Sequence, residues 1–305
     1  MKVTQGMSLT KLENHSVKID SELARGWRRF RRQRIAILGM TIVLLMLLIA
    51  LSAPIICRYA PRDIHMQDAY LSPSAAHWFG TDGLGRDVFS RVVWGTRTSL
   101  TVAVIGILVT SMIGIAMGSI SGYYRKLDDL IMRFTDIVLT FPSFFLLIVA
   151  ASVLQVRNLY VIAIIIGFIG WPQMARIVRG EFLSIRELSY VEAARAIGTS
   201  SSRLILLHML PNCMAPIIVT ATLNVARYIL YEAAISFLGL GDPTAISWGT
   251  IIGRGQQVLR SAWWLTLSPG LMIFLTVLGF NLFGDGLRDV MDPQLKYPHR
   301  QKGGK

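Results

Sequence analysis

Five stretches of this chain, residues 35–57, 100–124, 137–156, 158–175 and 261–284, contain no Asp, Glu, Lys or Arg. A sixth, 209–241, is interrupted only by Arg227 and Glu232. A bilayer core needs about 20 consecutive apolar residues per helix. The backbone of a spanning segment must also satisfy its own hydrogen bonds, which leaves helices or closed barrels. Six runs of this length therefore predict an all-α polytopic membrane protein with six transmembrane helices.

Composition agrees. The chain of 305 residues is 53% hydrophobic and 16% charged, against about 25% charged in soluble domains, and its mean hydropathy is +0.51. This excludes a disordered chain, a disulfide scaffold and an ordinary soluble enzyme. The net charge of +13 would point to nucleic acid in a soluble protein. Here the basic residues sit in short loops between apolar runs, so nucleic acid is not an expected partner and the charges set orientation. Of 31 Lys and Arg, 22 fall on the side that holds both termini and eight on the other, with Arg227 inside a run. Positive-inside then puts both termini in the cytoplasm. The expected organisation is a basic cytoplasmic tail at 1–34, a first helix at 35–57, an extracytoplasmic loop at 58–99, a five-helix core at 100–285 with a cytoplasmic loop at 176–212, and a cytoplasmic tail at 286–305.

The first run follows a basic cluster but exceeds the 7–15 residues of a signal-peptide core, and no small-residue cleavage site stands out, so it reads as an uncleaved helix. In the tail, Leu23, Trp27, Phe30 and Ile35 recur at helical spacing, with Arg25, Arg28, Arg29, Arg32 and Arg34 filling much of the rest. This is either a short amphipathic helix on the inner leaflet, ring side chains toward lipid, or a charged stop that only fixes topology. Cys57 and Cys213 fall at opposite membrane faces and are not expected to pair.

Within the second run, Gly106, Thr110, Gly114, Gly118 and Gly122 are each four apart. Such a stripe lets two helix backbones approach closely in lipid, so a tightly packed neighbour is expected, in this chain or a partner. Phe141-Pro142 interrupts the third run near its start and predicts a kink. Arg227 and Glu232 are the charges at membrane depth, the usual markers of a site. Five residues apart they lie about 140° around a helix, and each is a candidate for lining a pathway, forming a structural pair or reaching an interface.

No catalytic set emerges. A phosphate-cradling GxxxxGK[ST] loop, HExxH and GxSxG are all missing from the sequence, so neither a P-loop nor a zinc or serine hydrolase is expected. Gly83-Leu84-Gly85 begins like a nucleotide fingerprint but lacks the third glycine. The five histidines are scattered. A secondary carrier would show inverted repeats and charged broken helices; an intramembrane enzyme would show a paired nucleophile and base or metal ligands at membrane depth.

The loop at 176–212 is the most patterned segment outside the runs. Ser189 and Glu192 have capping-box spacing, Gly198 is placed to stop the helix in a left-handed conformation, and Ser200 to Ser202 precede a second helix expected from Arg203 to Leu210, ended by Pro211. The pair is either a docking element for another surface or an ordinary interhelical loop.

Glu192-Ala193-Ala194, Gly198 and His208-Met209-Leu210-Pro211-Asn212 resemble the EAA loop of binding-protein-dependent ABC importer permeases. His77-Trp78-Phe79-Gly80-Thr81-Asp82-Gly83-Leu84-Gly85-Arg86-Asp87, Ser236-Phe237-Leu238-Gly239-Leu240-Gly241 and Asn281-Leu282-Phe283-Gly284-Asp285-Gly286 are similar to the C-type subunits of the dipeptide, oligopeptide and nickel branch. The resemblance covers roughly residues 25–295. It implies a type I ABC importer permease fold in a bacterial or archaeal inner membrane, with five core helices and the first packed outside. It also implies coupling to two ATPase subunits through Glu192, Ala193, Ala194 and Gly198, a homologous B-type permease as heterodimer partner, and an extracytoplasmic solute-binding protein. ATP and Mg would be bound by the ATPases, with no cofactor on this chain. Peptides are the expected solute, and nickel or a nickel chelate the alternative, since no carboxylate or histidine cluster appears at membrane depth.

Overall fold

The computed structural model describes residues 28, 30, 31, 33–155 and 157–291. These are helical apart from loops and one isolated bridge between Thr81 and Asp87. The long helices are α1 (Arg34–Ile56), α2 (Val88–Tyr123), α3 (Arg125–Thr140), α4 (Ser143–Leu154) and α5 (Leu159–Arg186). A short helix α6 (Ser189–Ala196) leads to α7 (Met214–Phe237), α8 (Trp248–Gly255) and α9 (Trp264–Met291). Among the described residues, five spans have the length and apolarity to cross a membrane, six when the bent pair α3–α4 is one span.

That pair corrects the expected third helix. The charge-free run at 137–156 is not one rod: α3 and α4 meet at 83°. Phe141 is extended, at φ −89° and ψ 137°, because the ring of Pro142 disfavours the helical region for the residue before it. α4, with 12 residues, is only about 18 Å long and too short to span alone. α3 is held through its polar side, Asp128 to Arg179 at 2.5 Å and Asp136 to Arg176 at 2.5 Å. Its apolar residues Leu127, Leu130, Phe134 and Ile137 remain exposed.

The second span begins twelve residues earlier than charge alone indicated. The Asp87 carboxylate accepts from the Ser90 amide at 2.7 Å and caps α2 at Val88, so the last part of the expected extracytoplasmic loop is helix. Arg97 ended the charge-free run, yet both it and the buried Arg91 lie within the helix. The expected break at Pro211 does not occur. From Ser201 to Phe237 the chain stays helical, passing through a widened π turn at Leu204–Met209 and a tightened 3-10 turn at Leu210–Cys213. Pro211 sits at the start of the tightened turn, where its missing N–H costs least.

α2 and α5 form the centre, and α7 packs across both. α1 lies outside, against α9. Most of the expected amphipathic tail falls outside the described residues, as do residues 292–305. Phe30 does not face lipid: it is buried, edge-on to Phe283 at 5.9 Å between ring centres.

Candidate functional site

The small-residue stripe faces α5 within this chain. A side chain on Gly114 would meet Met174 Cβ at 2.6 Å, on Gly118 the Ala175 carbonyl at 2.6 Å, and on Gly122 Phe182 Cβ at 2.5 Å. At Gly106 the nearest atom belongs to Tyr228, at 3.0 Å. Thr110 completes the row chemically. Its hydroxyl donates to the Gly167 carbonyl at 2.8 Å and takes a hydrogen bond from Tyr228 at 2.7 Å. One threonine thus ties α2, α5 and α7 together.

α6 follows the C-terminal end of α5. Its inner side is anchored. Val191 is buried with Phe182, Ile185, Leu204, Met209 and Cys213. The Arg195 guanidinium lies 5.9 Å from the centre of the Tyr123 ring, and Tyr123 donates to Ser201 at 3.1 Å. The outer side carries Glu192, Ala193 and Ile197, all exposed, with Ala194 half-buried.

The helix stops where the glycine was expected to stop it. Gly198 has φ +82°, its amide donates to Arg195 O at 3.0 Å, and the Thr199 amide donates to Ala194 O at 3.1 Å. These are the two bonds of a Schellman cap. The start differs. Ser189 is the first helical residue, Leu188 holds the cap position, and no side chain caps the helix. The expected box between Ser189 and Glu192 is not formed, so the Glu192 carboxylate has no local capping task.

Arg227 and Glu232 do not form a pair. Glu232 is 1% exposed; its carboxylate accepts from Ser99 at 2.9 Å and from Ser236 at 2.8 Å. Arg227 points the other way, into a groove of about 560 Å³ between α5, α7 and α9. There its Nη1 donates to Gln173 Oε1 at 2.6 Å. Glu181, Asn212, Asn224 and Arg288 supply the other polar lining. The 140° separation on one helix is the physical reason the two charges part.

The loop between α1 and α2 holds a knot of ion pairs and hydrogen bonds. Asp82 receives Arg86 Nε at 2.8 Å and the Leu84 and Arg86 amides at 2.9 and 3.0 Å. Burial works to raise its carboxyl, but these donors outweigh it and hold the group below the usual carboxylate range. His77 Nδ1 lies 2.9 Å from Asp87 Oδ1, and Arg91 donates to the Pro61 carbonyl at 3.1 Å. Gly85, at φ +68°, lies so close to the His65 carbonyl that no side chain fits. The signal was present as an Asp and an Arg four apart with two glycines between them.

Residues 111–297 match the family described as binding-protein-dependent transport system inner membrane component. Residues 21–73 match the N-terminal TM domain of oligopeptide transport permease C. The chain is 41% identical over 272 residues to the dipeptide transport system permease protein DppC of Alkalihalophilus pseudofirmus, covering 88% of this chain and 89% of that one. It is 41% identical over 270 residues to the oligopeptide transport system permease protein OppC of Bacillus subtilis, covering 88% of each. With the glutathione transport system permease protein GsiD of Pectobacterium atrosepticum it shares 38% over 273 residues, 88% of this chain and 90% of that one.

Proposed function

The chain belongs to the binding-protein-dependent transport system inner membrane component family, and from that premise we propose that it is one permease subunit of an ATP-driven ABC importer for peptides. It forms half of the translocation pathway, and a homologous permease forms the other half. An extracytoplasmic binding protein delivers the solute, and two separate ATPase subunits bind ATP and Mg. The membrane is the cytoplasmic membrane, with both termini inside. The peptide assignment is supported by relatives named for dipeptide, oligopeptide and glutathione transport.

The observation that carries the coupling role is α6, anchored on one side by Val191 and bare on the other along Glu192, Ala193 and Ile197. A rigidly mounted helix with an uncovered face is suited to take a push. Closure of the ATPases on ATP moves α6, and the buried contacts to Phe182 and Met209 pass the movement to α5 and α7. The helix bundle then turns from inward-facing to outward-facing, solute enters, and hydrolysis resets it. Each state must be favoured by contacts the other lacks. This chain supplies walls and a lever and makes no bonds.

The test is reconstitution of the chain with its partner permease, ATPases and binding protein in liposomes. ATP-dependent peptide uptake that disappears when this chain is omitted is the expected result. Uptake by this chain alone without ATP refutes the reading in favour of a secondary carrier.

A further inference from the structure

Arg227 lies in the middle of α7, where a charge is costly and marks a site. Its one hydrogen-bonding partner is the neutral oxygen of Gln173, at 2.6 Å, and among the described residues no carboxylate forms an ion pair with it. The guanidinium remains exposed and lines the groove of about 560 Å³, a size within the range of about 300–1,000 Å³ usual for small-molecule sites. Glu181 is the carboxylate among the lining residues. It lies eight residues beyond Gln173 on α5, about 12 Å along the axis, and leaves Arg227 without a counter-charge. Arg288, in the last turn of α9, also lines the groove.

We infer that Arg227 binds the terminal carboxylate of a short peptide during passage through this groove. A guanidinium takes a carboxylate through two parallel N–H···O bonds, and one Nη1–H held by Gln173 leaves donors free for it. Gln173, which holds Arg227, and Glu181 stand about 12 Å apart along α5, on the scale of a peptide of three or four residues, which reaches about 10–14 Å when extended, so Glu181 offers the opposite charge to the ammonium end of such a zwitterion. The inference rests on the peptide reading and deepens it by naming the group recognised and the residue that recognises it.

The test uses the complete importer in liposomes and a library of free-acid di- to pentapeptides, followed by mass spectrometry. Arg227→Gln lowers uptake about tenfold, the scale of losing a hydrogen bond to a charged group. Arg227→Cys, made with Cys57 and Cys213 replaced by serine, is treated after assembly with a cationic or an anionic methanethiosulfonate. The cationic reagent restores uptake and the anionic one does not, and bound peptide slows the reaction. Because the reagents act on an assembled complex, a folding defect does not mimic this pattern. Unchanged uptake in Arg227→Gln, or equal effects of the two reagents, overturns the inference and leaves the peptide reading standing. Failure of the unsubstituted importer to take up any peptide overturns both.

Discussion

The carboxylate of Glu232 in α7 accepts a hydrogen bond from the Ser99 hydroxyl of α2 at 2.9 Å, across 133 positions of sequence. Its other oxygen is held by Ser236 at 2.8 Å. Replacing Glu232 by alanine strands two hydroxyls in the packed centre, at about 1–3 kcal/mol for each unsatisfied group. Glu232→Gln keeps one acceptor oxygen and fits the same space, and a serine hydroxyl can turn to accept from the amide. Thermal unfolding in detergent should rank native above Glu232→Gln and Glu232→Gln well above Glu232→Ala.

The close approach of α2 and α5 makes a second expectation. Side chains at Gly114 and Gly118 would stand 2.6 Å from atoms of Met174 and Ala175, well inside van der Waals contact. Gly114→Leu and Gly118→Leu push α5 away from α2 and should reduce folded protein in the membrane several-fold, whereas Gly180→Leu, with nothing within 4 Å, should not. Equal abundance of all three, measured by fluorescence-detected size exclusion, counts against the packing argument.

Acid should loosen the knot between α1 and α2. The Asp82 carboxyl titrates below its ordinary value because Arg86 and two amides favour the charged form despite burial. A group with a lowered folded pKa contributes stability that is fully present above the unfolded value, about 3.9, and is lost as pH falls through the folded one. The loop should therefore keep its protease resistance down to about pH 4 and lose it below. Asp82→Asn should lower resistance at neutral pH and flatten this dependence.

Purified alone, the chain should hydrolyse no ATP above a heat-treated control, since its sequence holds no loop that cradles phosphates. Activity that survives repurification would contradict the division of labour proposed.

Spans, stripe and left-handed stop were legible in the sequence because each depends on short-range periodicity or on one residue's backbone freedom. Gly198 needs no neighbour to adopt φ +82°. What escaped depended on the third dimension. Charge counting missed the first turns of α2, because Arg97 stays exposed over the Trp94 ring and Arg91 is satisfied by the Pro61 carbonyl, thirty residues away. The break at Pro211 was expected from a local rule, and the chain absorbs it by widening one turn and tightening the next. The capping box had the right letters, but Leu188 took the cap position. The knot of Asp82, Arg86, His77 and Asp87 stood in plain letters, yet its bonds run between groups brought together by the fold.

α6 allows the sharpest test, because the structure separates two explanations of the same residues. Glu192 is not a cap, so its replacement removes no local hydrogen bond and leaves α6 held by Val191 and Arg195. Glu192→Lys reverses the charge on the bare face and places a cation near the positive end of the helix dipole, a cost of about 0.3–1 kcal/mol at an exposed position. That is too little to unfold the protein, so a loss of uptake is not a folding effect. Gly198 presents the complementary case. A side chain there meets nothing within 4 Å, so Gly198→Val acts through the backbone alone, by forcing a β-branched residue to φ +82°. Gly198→Asn, which tolerates the left-handed region, keeps the Schellman bonds and should keep most uptake. Both Glu192→Lys and Gly198→Val should abolish uptake at near-normal membrane abundance, with the ATPase lost on co-purification. Wild-type uptake in both refutes the lever; lost uptake with the ATPase still bound and stimulated by solute moves the defect into the pathway.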